Sequence, residues 1–107
     1  MFKVITIDGK ELPFAANAAT PFRYKQIFKK DLFAILGNEQ RVETEGVEAV
    51  TELAFIMAKQ AEKADMNKLN YDEFINWLED FSGMAFINAA DEIMNVYMDS
   101  TIGTATP

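Results

Sequence analysis

Residues 2–14, FKVITIDGKELPF, predict a β-hairpin at the start of the chain. An alternating segment leads into Asp8-Gly9, a dipeptide favoured in type I′ turns because both central residues need a positive φ. Pro13 has no N–H for a ladder hydrogen bond, so the return strand lies at a sheet edge or ends there. A lone hairpin is marginally stable in water, and this one must therefore pack on an apolar surface.

The rest of the chain predicts four helices that supply this surface. Thr20-Pro21 marks the start of the first helix, with an N-cap followed by proline at the first helical position, and Gly37 ends it. Asn70 and Glu73 have the spacing of a capping box at the start of the third helix. The polar segment 37–46, GNEQRVETEG, is predicted to be a loop. The predicted helices span residues 21–36, 47–63, 71–81 and 83–99.

These elements predict a single α+β domain, mostly α, over residues 1–100. Its architecture is an N-terminal β-hairpin (residues 2–14) packed on a bundle of about four helices. A chain of 107 residues suits one domain with one core. Residues 101–107 combine β-branched residues, glycine and proline without a core pattern, which predicts a flexible C-terminal tail.

Charge is distributed unevenly along the chain. The sequence has 17 acidic and 10 basic side chains, for a net charge of −7. All the basic residues lie within residues 1–68, whereas residues 69–107 contain acids only. This argues against nucleic acid and anionic membranes as partners, because phosphate binding depends largely on Lys and Arg. Two interpretations of the acidic segment stay open: it keeps an apolar region soluble, or it docks a partner.

No targeting or membrane segment is predicted. The longest apolar run, LAFIMA (residues 53–58), is far shorter than the roughly 18–20 residues that a membrane span needs. The opening segment MFKVITIDGK has an acid at position 8 and no sustained apolar region, unlike a secretory signal. We therefore expect a protein of the cytoplasm.

No catalytic, cofactor-binding or metal site is expected. The chain has no histidine, which is the commonest general base in enzymes and a common metal ligand. It also has no cysteine, so thiol nucleophiles and thiolate metal sites are excluded. A calcium loop beginning at Asp65 would need Gly and Glu where the chain has Asn70 and Asn76. The acids of the third helix pair at a spacing of seven residues, roughly 10 Å apart, which favours a solvated face over catalysis. These acids are Asp72, Glu73, Glu79 and Asp80.

The first predicted helix has more apolar surface than a small core needs. At about 100° per residue, Phe22, Phe33 and Leu36 cluster away from its main apolar face. Lys25 and Lys29 lie beside this cluster. Either the hairpin covers this second face, or it is an exposed aromatic patch with a basic rim that binds a partner.

The fourth predicted helix, residues 83–99, is apolar over roughly 220° of its circumference. Such a helix is either central to a bundle or available to another helix, and self-association would satisfy the same surface. Its methionines provide adaptable surface, although methionines at helical spacing are more often core. The candidate contacts on this helix are Phe86, Ile87, Met94 and Met98.

The order of segments along the chain also resembles a known family. A hairpin like KVITIDGKELPF is followed by an aromatic-rich helix like PFRYKQIFKKDLFAIL. A second helix like VTELAFIMAKQAEKAD then leads into a segment like LNYDEFINWLEDF. This layout, over about residues 2–100, resembles the tail assembly chaperones of long-tailed phages or prophages of Gram-positive bacteria.

The resemblance implies a function without catalysis. Such chaperones bind the long helical tape measure protein, keep it soluble in the host cytoplasm and help recruit the tail tube protein. They are absent from the mature virion and are commonly made in a short and a longer, frameshifted form. Two other functions stay open: a minor structural protein of the tail, and a small prophage-encoded regulatory binding protein.

Overall fold

The hairpin forms as predicted at the start of the chain. The computed structural model describes residues 1–101, so the predicted tail lies outside the described residues except for Thr101. Strands β1 (Phe2–Ile7) and β2 (Lys10–Ala15) pair antiparallel. Asp8 and Gly9 have φ values of 54° and 75°, as a type I′ turn requires.

Within residues 1–101, six α-helices follow the hairpin, with one short 3₁₀ helix between two of them. Helix α3 runs through the centre, and β2, α1, α2, α5 and α6 all pack on it. This confirms the predicted α+β class, mostly α, with the hairpin packed on the longer helices. The helices are α1 (Thr20–Phe28), α2 (Leu32–Leu36), α3 (Glu39–Ala61), α4 (Tyr71–Leu78), α5 (Ala85–Asn88) and α6 (Ala90–Thr101), and the 3₁₀ helix is Met66–Lys68.

The core joins the inner face of the hairpin to the second half of α3. Ile5, Ile7 and Phe14 point inward and are almost completely buried. Every residue from 52 to 58 in α3 is buried as well. Leu12, opposite Ile5 on the same face, is only half-buried, whereas Phe2 and Val4 on the outer face are exposed.

The start of α1 differs in detail from the predicted cap. Pro21 occupies the first turn, as expected, but the Thr20 side chain does not cap the helix. Its buried hydroxyl instead accepts hydrogen bonds from the backbone N–H of Asn17 (3.0 Å) and the side-chain amide of Gln60 (2.9 Å). Thr20 therefore ties α1 to α3, a contact that local sequence rules do not include.

The single helix predicted over residues 21–36 is wrong, because the chain breaks into α1 and α2. Lys29 adopts a left-handed conformation with φ of 60°, and its N–H bonds to the carbonyl of Lys25. Asp31 then caps α2 by accepting a 3.0 Å hydrogen bond from the N–H of Phe33. Lys29 thus terminates α1 and Asp31 begins α2, so the backbone groups at both helix ends of the break are hydrogen-bonded.

The loop predicted over residues 37–46 is also wrong, because most of it belongs to α3. Asn38 caps the helix by accepting from the N–H groups of Gln40 and Arg41. Arg41 also forms a 2.9 Å ion pair with Glu45 one turn later, which supports the exposed first half of the helix. The polar composition belongs to a solvated helix face rather than to a loop.

The remaining helix ends shift from their predicted positions. The helix predicted over 47–63 ends at Ala61, and Lys63 has a positive φ. The helix predicted over 83–99 is split at Ala89, whose backbone leaves the helical region, and this lets both α5 and α6 pack on α3. Asn70 caps α4 as predicted, through a 2.9 Å bond from the N–H of Glu73.

Contacts with the hairpin turn explain why α4 ends before residue 81. The carboxylate of Asp8 accepts hydrogen bonds from the backbone N–H (2.6 Å) and hydroxyl (2.9 Å) of Ser82. Lys10 donates to the carbonyl of Asp80 at 2.6 Å and stacks over the ring of Phe81. These contacts hold residues 80–82 out of a helical conformation.

Candidate partner-binding surface

Phe22 and Phe33 line one apolar depression where α1, α2 and α6 meet. The depression has a volume of about 380 Å³, and Pro21 and Tyr97 complete its apolar lining. The side chains of Phe22 and Phe33 are 69% and 59% exposed. Clustered exposed aromatic side chains on a concave surface are more typical of interaction sites than of ordinary solvated surface.

This depression continues along α6. Phe33 also lines a second depression of about 340 Å³ with Leu36 and Met98. Leu36 in turn lines a third, of about 240 Å³, with Val42 and Met94. Shared walls make the three one continuous surface, which we call the apolar groove. It is defined by Phe22, Phe33, Leu36, Val42, Met94 and Met98.

The structure brings most of the predicted contact residues together in this groove. The hairpin does not cover the second face of the first predicted helix, because its strands pack on α3 and α6 instead. The role of the groove in binding a partner remains a prediction. The candidate contacts that lie in the groove are Phe22, Phe33, Leu36, Met94 and Met98.

The other two apolar candidates lie elsewhere. Phe86 is only 6% exposed, and its ring centroid lies 5.0 Å from that of Phe81 and 5.1 Å from that of Trp77. Phe86 is therefore mainly a core residue that also lines the depression next to Ile87, and its contact with a partner stays a prediction. Its neighbour Ile87 is 43% exposed and lines a separate depression of about 210 Å³ that reaches Val47.

Charged residues lie near the groove. Lys25 is exposed three residues after Phe22 in α1, and Lys29 is exposed at the left-handed C-cap of that helix. Asp91 lines the third depression, at the far end of the groove. Neither lysine lines the groove, so the predicted basic rim stays a prediction.

A buried polar cluster fixes the α1–α2 break that shapes the groove. The hydroxyl of Tyr24 donates to the carboxylate of Glu52, and Lys30 donates to the same carboxylate at 3.1 Å. Burial and the Glu52 hydrogen bond raise the pKa of Tyr24. Burial alone would lower the pKa of Lys30, but hydrogen bonds to Glu48 and Glu52 outweigh it and raise that pKa.

The sequence patterns do not identify two residues that line the depressions, the groove residue Val42 and the neighbouring Tyr97. Val42 lay in the segment predicted to be a loop, although it precedes Gly46 and Val50 at the four-residue spacing of a helix face. Tyr97 lies on the broad apolar face of the fourth predicted helix, whose periodicity does not separate it from core residues. Recognising Asn38 as an N-cap was the signal that would have extended α3 over Val42.

The described part of the chain offers no other obvious chemistry. Between residues 1 and 101, no group of three or more His, Cys, Asp or Glu side chains is arranged to hold a metal ion. No helix in that range combines the length and the apolar character needed to cross a membrane. Comparison with protein-family profiles, curated proteins and solved structures finds no match. The apolar groove is therefore the candidate functional site of the described residues.

Proposed function

We propose that this protein is a non-enzymatic tail assembly chaperone of a long-tailed phage or prophage. It binds the helical tape measure protein, keeps it soluble in the host cytoplasm and helps recruit the tail tube protein. The observation that carries the proposal is the continuous apolar groove with two exposed phenylalanines. The order of the hairpin and helices along the chain supports it by resemblance.

The groove suits an amphipathic helix. Such a helix presents apolar residues at spacings of three and four, and an elongated concave surface receives that stripe and removes it from water. Met94 and Met98 supply flexible side chains at one wall, which can repack against clients of different sequence. A tape measure protein with many apolar stripes would be such a client.

Co-expression with a helical tape measure fragment tests this function. The wild-type chain should increase the soluble fraction of the fragment, and the double variant Phe22→Ser/Phe33→Ser should lose that effect. Met84→Ser is the matched control, because Met84 is exposed and outside the groove. The proposal fails if the wild type leaves fragment solubility unchanged, or if the folded double variant acts like the wild type.

Composition of purified particles separates the chaperone from the alternatives. A chaperone leaves before assembly is complete and should be missing from mature virions. A minor structural tail protein would persist in them at a fixed stoichiometry. A regulatory binding protein would leave tail assembly intact when its gene is deleted, whereas deletion of a chaperone gene should abolish tails.

A further inference from the structure

Strand β1 presents an open hydrogen-bonding edge. Met1 and Ala16 exchange two backbone hydrogen bonds, of 2.7 and 2.8 Å, and so form a hydrogen-bonded pair of the antiparallel ladder. Hydrogen-bonded and non-hydrogen-bonded pairs alternate from there along the two strands. The odd-numbered residues of β1 therefore bond to β2. The N–H and C=O groups of Phe2, Val4 and Thr6 point away from β2, and within residues 1–101 they have no hydrogen-bond partner.

The opposite edge of the hairpin is partly protected, although within residues 1–101 the outward backbone groups of Glu11 have no hydrogen-bond partner. Pro13 has no N–H to offer, and it stands opposite Val4 at a position where the ladder needs none. The carbonyl of Ala15 accepts a 2.7 Å hydrogen bond from the side chain of Gln60. Strand β2 also packs along α3. Edge protection is thus confined to β2, although exposed edges are usually blocked in monomeric proteins.

The open edge also carries apolar side chains. Phe2 and Val4 project from the outer face of the hairpin and are 61% and 48% exposed. They share no residue with the apolar groove. An occupant of this edge must therefore be an extended strand with small or apolar side chains on one face, rather than a helix.

We propose that β1 pairs with β1 of a second copy of the chain, antiparallel about a two-fold axis at Val4. In this register Val4 faces Val4 of the second copy, and Phe2 faces Thr6 in both directions. Each of these pairs exchanges two backbone hydrogen bonds through the groups that are otherwise open. The two hairpins become one four-stranded sheet, and the apolar outer side chains of both copies lie together.

Charge complementarity favours a second copy as the occupant. Lys3 lies near the beginning of the strand, and Asp8 and Glu92 line a depression of about 130 Å³ at its end, beside Thr6. In this register Lys3 of each copy faces Ile5 of the other, on the strand that leads on to this acidic depression. The two-fold axis repeats the attraction between Lys3 and the acidic end on both sides, and added salt should weaken it.

Charges of either sign introduced at Val4 test the dimer and its register. Val4 lies on the exposed outer face, so Val4→Lys and Val4→Glu should both fold with little change in melting temperature. The wild type should sediment as a concentration-dependent dimer of the 12.1 kDa chain. Each variant places like charges directly opposite across the axis and should weaken dimerisation by about tenfold or more. An equimolar mixture of the two should restore it as a heterodimer.

Three results would overturn the proposal. The first is a wild type that stays monomeric up to about 1 mM, the weakest affinity a specific pairing would show. The second is a dimer that both charge variants leave unchanged, or that Phe22→Ser/Phe33→Ser abolishes. The third is a mixture of folded Val4→Lys and Val4→Glu that remains monomeric. Because the edge and the groove are separate, a negative result here leaves the proposed client binding standing.

Discussion

The hydroxyl of Tyr24 lies 2.6 Å from a carboxylate oxygen of Glu52, and this hydrogen bond joins α1 to α3 inside the core. Both side chains are almost completely buried. Lys30 approaches the same carboxylate from the α1–α2 break and supplies the opposite charge. A buried carboxylate is tolerated only when it is hydrogen-bonded and paired, so these contacts depend on one another.

Removal of the Tyr24 hydroxyl should destabilise the protein. In Tyr24→Phe, Glu52 loses its shortest hydrogen bond while remaining buried, which costs about 1–3 kcal/mol of unfolding free energy. Urea denaturation measures the change. Glu48→Gln is the matched control, because Glu48 also pairs with Lys30 but is largely exposed, and it should change stability by less than about 1 kcal/mol. Equal effects of the two substitutions would contradict the burial argument.

Stability in acid should depend on Asp8. Hydrogen bonds from the backbone and side chain of Ser82 lower the pKa of Asp8 below its ordinary value of 3.8. The folded protein therefore keeps this carboxylate ionised where the unfolded chain begins to take up a proton. The stabilisation is present above pH 3.8 and is lost as the pH falls through the lower, folded-state pKa.

Asp8→Asn isolates this effect, since asparagine tolerates the left-handed turn conformation. The melting temperature of the variant should fall less steeply than that of the wild type as the pH drops below 3.8. The exposed substitution Asp72→Asn serves as the control and should retain the wild-type profile. Identical acid profiles for wild type and Asp8→Asn would show that the contact with Ser82 contributes nothing.

Phe86 and Ile87 should respond in opposite ways to truncation. Phe86→Ala removes a ring packed between Trp77 and Phe81 and should cost about 3–5 kcal/mol. Ile87→Ala removes a side chain that is 43% exposed, and we expect a loss of less than about 1.5 kcal/mol. Chemical denaturation compares the two. Similar losses would mean that α5 packs differently.

Alanine substitutions at two glycines test the helical assignment of residues 39–46 and the positive φ of the hairpin turn. Gly46→Ala should stabilise the protein by about 0.4–1 kcal/mol, because the new methyl group would meet Val42 at an ordinary 3.6 Å. Gly9→Ala has open space around it but forces a residue with a side chain into a φ of 75°, so it should destabilise. Thermal melts measure both shifts. A loss of stability in Gly46→Ala would contradict a continuous α3.

Part of the groove could be predicted from helical periodicity. Phe22 and Phe33 were placed on one face by assuming a continuous helix, and they do line one depression. The assumption itself was wrong, since the chain breaks at Lys29. Val42 could not be predicted while its segment was taken for a loop, because exposed helix faces and loops share the same polar composition.

Local sequence patterns were enough to predict the hairpin, its Asp8-Gly9 turn and the Asn70 cap of α4. These features depend on residues within a few positions of each other, so local rules suffice. Long-range packing, in contrast, buries Phe86 beside an exposed Ile87 and keeps residues 80–82 out of the helix. Burial and long-range hydrogen bonds are set by segments distant in sequence, and helical periodicity cannot say which of two adjacent apolar faces those segments will cover.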